Sequence, residues 1–250
     1  MTTLVRGRVL HTPRPGTLEA FDDGAVAFDD DDVEGRILAT GPYAIVRAVH
    51  PGAAVSALPG AIVLPGLVDT HVHFPQVSIV GSMGLRLLEW LHTRTLPEEA
   101  RVADEAVARA TARRFLARLL ANGTTTALVF GSHFPRAQEV FFEEALASGL
   151  RITSGLVVSD RELLPALHAT PAAAHAASAA LMAAWHGRGR LRYGDPAVLA
   201  LVHRGDARGL PGGARPRGRR LPHLPSQREP GRDPRRRRAV PVGARLPRHL

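Results

Sequence analysis

The sequence of 250 residues contains no cysteine, which excludes disulfides and any thiolate metal site, so a bound metal would have to rest on histidine and carboxylate. It contains no lysine either; every basic residue is arginine, a bias that points to a GC-rich gene. No run of 18 or more apolar residues is present, and Met1 to Val9 lacks the basic start and long apolar stretch of a secretory signal. These absences predict a soluble, cytoplasmic protein with no membrane partner. What is present, 45% hydrophobic residues, is enough for a buried core in one large domain or two small ones.

A net charge of +9 would suggest a nucleic-acid partner if it were spread evenly, and it is not. From Gly194 to Leu250, 14 Arg stand against three Asp and one Glu, a net of +10, whereas the residues before Gly194 are close to neutral. The same stretch holds nine Pro and eight Gly and lacks Phe, Tyr, Trp, Ile, Met, Thr and Asn. With so few anchors to offset chain entropy it is expected to be disordered. Arg235 to Arg238 could serve a basic nucleic-acid-binding arm, but the interleaved aromatics that stack on bases are missing, so a nucleic-acid partner is not expected.

Before that stretch the chain has rhythm. Residues 3–10, 25–28 and 36–48 read as short strands separated by acidic or turn-rich segments, the N-terminal part of a small β-domain over residues 1–60. Residues 61–69 form a strongly apolar run, too short for a helix, which predicts a buried strand delivering the chain into Thr70-His71-Val72-His73. A helix is expected from Pro97 to Leu120, stopped by Asn122-Gly123, then a strand over 124–130, a helix over 137–148, a strand over 150–158 and a helix capped by Thr170 with Pro171 in its first turn. Alternating strands and helices imply a parallel sheet with crossover helices, and residues 61–193 would supply the first half of a (β/α)8 barrel.

His71 and His73, two residues apart at a strand end, point to one face, and the carboxyl ends of barrel strands form the active-site mouth. Two imidazoles on one face can share a divalent ion. His92, His133, His168, His175 and His186 stand in no ligand pattern and read as surface or packing residues.

The string Leu64-Pro65-Gly66-Leu67-Val68-Asp69-Thr70-His71-Val72-His73 resembles the metal-binding strand of the amidohydrolase superfamily, which follows a β-rich segment of a small sandwich domain. Phe74-Pro75-Gln76, Leu87-Leu88-Glu89-Trp90-Leu91 and Asn122-Gly123-Thr124-Thr125-Thr126-Ala127 with Phe130 resemble its guanine deaminases in particular. The resemblance, over residues 1–193, implies His71 and His73 as zinc ligands, Gln76 as a reader of the purine edge and Trp90 as a wall of the pocket. It implies hydrolytic conversion of guanine to xanthine by a Zn2+-activated water, in a homodimer. The alternative inside the superfamily is an aminohydrolase acting on another purine, a pterin or a triazine.

The family's catalytic Glu, its later ligands and its T-P-R-F motif are not in this chain, so no catalytic residue is assigned and the chain as written is expected to be inactive. Back-translation of residues 194–204, read one nucleotide later, can yield T-P-R-F, and that of residues 223–233 can yield H-L-N-E-N, in the family's order. Residues 194–250 thus read as an out-of-frame tail on a truncated enzyme. An open half-barrel would expose strand edges and an apolar face, which predicts poor solubility. Outside the enzyme class the alternative is a noncatalytic fragment with a basic tail.

Overall fold

The computed structural model describes residues 1–32, 35–161 and 163–194; the tail expected to be disordered and out of frame from about Tyr193-Gly194 lies, beyond Gly194, outside the described residues. Among the described residues there are two four-stranded sheets. The first begins with β1 (Thr2–Arg14) and β2 (Thr17–Asp29), an antiparallel hairpin turned by Pro15-Gly16. Pro15 presets its own φ, and Gly16 takes φ 77°, which a side chain would resist.

β3 (Ile37–Pro42) pairs with β2, and β4 (Ala54–Val63) runs parallel to β1, giving the order β3-β2-β1-β4. The strand expected over 36–48 stops at Pro42. Residues Tyr43–Val49 instead form α1, because burying Val46 against Leu4, Ala25 and Ala27 outweighs the β-propensity of this Ile- and Val-bearing segment.

The single run expected over 61–69 is also two elements. Ile62 and Val63 complete β4 opposite Arg8 and Val9; the chain breaks at Leu64-Pro65-Gly66 and starts β5 (Leu67–His73) in the second sheet. A proline there has no N–H to give a ladder. β5 is not buried along its length as expected: Leu67 is 58% and Val68 65% exposed, and β5 has one strand neighbour among the described residues.

The second sheet is wholly parallel, with β5 beside β6 (Thr124–Phe130), β7 (Arg151–Gly155) and β8 (Arg192–Tyr193). Parallel neighbours need long crossovers. After β5 come a 3-10 turn (Phe74–Ile79), α2 (Leu87–Trp90), a π-turn (Leu91–Thr95), α3 (Leu96–Arg101) and α4 (Glu105–Ala121). α5 (Pro135–Ser148) and α6 (Pro171–Trp185) make the next two crossovers.

Helices and sheet enclose a core in which Phe115, Phe141, Phe142, Ile152, Val129 and Trp185 are buried. The α5 terminus at Gly149, in the left-handed region at φ 70°, and the Thr170 cap accepting from the Ala173 N–H at 3.2 Å follow the sequence reading. The helix expected to run unbroken from Pro97 does not. The Asp104 side chain accepts the Val107 N–H at 3.0 Å and starts α4 afresh, so α3 ends at Arg101.

Candidate active site

The carboxyl end of β5 delivers His71 and His73 to one face, with ring centroids 5.4 Å apart. Phe130, the register partner of His73 on β6, braces both: its ring is 4.5 Å from that of His71 and stacks on that of His73 at 4.3 Å. The 3-10 turn that follows carries Gln76, and the junction of α2 with the π-turn carries Trp90. Single π-turns of this kind recur at functional sites because they re-aim the side chains around them.

α3 adds a residue that no sequence pattern singles out. Glu99, 6% exposed, takes the Gln76 amide Nε2–H on Oε1 at 2.7 Å and faces His133 Nε2 with Oε2 at 3.2 Å. Oε1 also lies 3.9 Å from His73 Nδ1. In sequence Glu99 stands only in the first turn of the helix expected to open at Pro97. What turns it inward is the helix phase set by the π-turn, which sequence periodicity does not encode.

His133 corrects the reading of it as a surface or packing residue outside the site: its side chain is 3% exposed and meets Glu99. It follows β6 in a loop pinned from behind by Gln138. That fully buried side chain accepts the Ser132 N–H at 3.1 Å and donates to Ser154 Oγ at 3.0 Å. Gly131 leaves room for this strut, since a Cβ there would run into the Gln138 amide and the Gly155 carbonyl.

Burial pushes the His73 pKa below the ordinary histidine range, and the neighbouring His71 and His133 act in the same sense while Glu99 opposes them. His73 is therefore a neutral imidazole at pH 7, the form with a lone pair for a metal. Its Nδ1 and that of His133 are buried without a hydrogen-bond partner among the described residues.

His71, His73, Gln76 and Trp90, the four residues singled out in the sequence, line one cavity of about 600 Å³ together with Glu99 and His133. Leu96, Val157 and Leu163 give it apolar walls. His92, His168, His175 and His186 do not line it. The two imidazoles of β5 fit two donors of a divalent site. Among the described residues no group of three or more His, Asp or Glu side chains is arranged to hold a metal ion.

The chain is 51% identical over 199 residues to a probable guanine deaminase of Deinococcus radiodurans, covering 76% of this chain and 45% of that one. It is 42% identical over 134 residues to the guanine deaminase of Escherichia coli K12, covering 54% of this chain and 30% of that one. The crystal structure of guanine deaminase from Bradyrhizobium japonicum superimposes with a TM-score of 0.72 at 34% identity, over 77% of this chain and 43% of that one. The chain thus spans less than half the length of these relatives. The amidohydrolase family profile matches residues 62–199, and the chain belongs to the amidohydrolase family.

Proposed function

We propose that residues 1–193 are the front of a guanine deaminase, which hydrolyses guanine to xanthine and ammonia in the cytoplasm. The observation that carries this reading is the convergence of the β5 histidine pair, Gln76 and Trp90 on one cavity, in a chain 51% identical to a probable guanine deaminase. The parallel sheet is then the first half of an eight-stranded barrel, and the β1–β4 sheet part of the small domain before it.

His71 and His73 would hold a zinc ion, which when bound supplies an activated water at neutral pH. The other residues bind and orient. Trp90 and Leu96 offer apolar walls to a flat base, Gln76 an amide to its edge, and Phe130 holds the two imidazole planes in place. With two donors among the described residues the metal site is incomplete, so on this reading the remaining ligands and the proton-shuttling acid come from outside the described residues.

Residues 194–250 are, in this proposal, the same coding region read one nucleotide out of frame, and the chain as written is inactive. Resequencing codons 185–200 and assaying both forms tests it. The frame-restored protein, homodimeric on this reading, should release ammonia and xanthine from guanine with zinc, and the 250-residue chain should not. Turnover by the 250-residue chain free of any longer form would overturn the inactivity. A restored enzyme that spares guanine and consumes another purine, a pterin or a triazine would move the substrate.

A further inference from the structure

We propose that Glu99 is a positioning residue that fixes which way the Gln76 amide faces, so that Gln76 Oε1 is offered to the cavity as the acceptor for an N–H of the base beside the reacting carbon. This rests on the deaminase reading above.

A primary amide presents a donor and an acceptor of nearly equal shape, and what holds it from behind decides which one a ligand meets. Glu99 decides which end of the amide it holds, because a carboxylate accepts and so takes the Nε2 side, using one of its two N–H donors. It captures one Gln76 Nε2–H at 2.7 Å, and among the described residues none donates a hydrogen bond to Gln76 Oε1. Glu99 cannot swing aside, since it is 6% exposed and its second oxygen is engaged with His133 Nε2 at 3.2 Å. A base lacking an N–H at that point would set a lone pair against the Gln76 carbonyl and leave it unpaired, which costs more than a missing contact. Guanine carries N–H donors at N1 and on its 2-amino group, flanking the carbon that reacts.

Side-chain amide NMR on the full 250-residue chain tests the lock directly. The Gln76 amide protons should exchange slowly in the wild type and at least about tenfold faster in Glu99→Gln, where two amides can pair in either sense. The Gln138 amide, held by a separate buried strut, reports that the variant is folded. Equal protection of Gln76 in both proteins would overturn the proposal.

A second arm titrates guanine, 1-methylguanine and N2,N2-dimethylguanine. One methylated base should bind the wild type about tenfold more weakly than guanine. That penalty should shrink to roughly twofold or less in Glu99→Gln and in Gln76→Ala, which keeps Glu99 and decides the question if Glu99→Gln does not fold. The same penalty in all three proteins would overturn the donor reading. A wild-type chain that binds none of the bases would sink the deaminase reading instead, while the amide exchange still decides what Glu99 does.

Discussion

β5 and the two strands beside it share a vocabulary and differ in their surroundings. Val129 on β6 and Ile152 on β7 are fully buried, while Leu67 and Val68 on β5 are 58% and 65% exposed. β6 and β7 have strand neighbours on both edges and β5 on one. An apolar strand sequence alone therefore does not tell how deeply the strand is buried among the described residues. The histidine pair sits at the carboxyl end of β5, where the Phe130 ring packs against both imidazoles although His71 remains exposed.

The sharpest way to break this comparison is to truncate one residue on each side of it. Phe141 on α5 is fully buried and stacks on Phe74 at 4.5 Å. Phe141→Ala should cost about 3–5 kcal/mol, read as a fall in the urea midpoint. Val68→Ser should stay within about 0.5 kcal/mol, as at any exposed site. A Val68 variant that loses as much as the Phe141 variant would show that the outer face of β5 is covered in solution.

Next in size is the strut behind the site. Gln138→Leu leaves the Ser132 N–H and Ser154 Oγ buried without partners, at about 1–3 kcal/mol for such a loss. It should also release His133 from Glu99, visible as a shift of the His133 ring resonances. A stability loss with His133 unmoved would mean that β6, not the strut, fixes that loop.

How far sequence could see divides along the same line. The β5 histidine pair, Gln76 and Trp90 were legible because local periodicity and family strings place them, and the structure brings all four to one cavity. Glu99 and His133 were not legible. Their meeting, across 34 residues of chain, depends on the phase of α3 and on a loop tied down by Gln138. The strand read over 36–48 failed for a related reason: β-propensity is local, and the burial of Val46 that makes α1 is not.

The Asp104 cap gives a smaller effect on the covered side. Asp104→Ala removes the acceptor of the Val107 N–H at 3.0 Å and should cost about 1 kcal/mol, with helix loss confined to the first turn of α4. Fusion of α3 with α4 in that variant, detected as increased helicity, would show that the cap acts chiefly as a stop signal.

The smallest effect tests how the helices covering β6 and β7 are tied to each other. Glu144 on α5 meets Arg113 and Arg109 on α4, each at 2.8 Å, and these hydrogen bonds, that from Arg113 first, hold its carboxyl below the usual carboxylate range. A depressed folded-state pKa means that, as pH falls, the unfolded chain takes up the proton first. The contribution is thus complete above the ordinary glutamate value of about 4.3 and is lost as pH falls toward the lower folded-state value. Asp23, Asp29 and Glu105 are depressed too, so the total acid slope is not that of Glu144 alone. The difference between wild type and Glu144→Gln isolates it: the two urea midpoints should converge between pH 5 and pH 3 and remain parallel above pH 5. Midpoints that stay apart to pH 3 would mean that the substitution acts through packing of the α4–α5 contact and not through the carboxylate's charge.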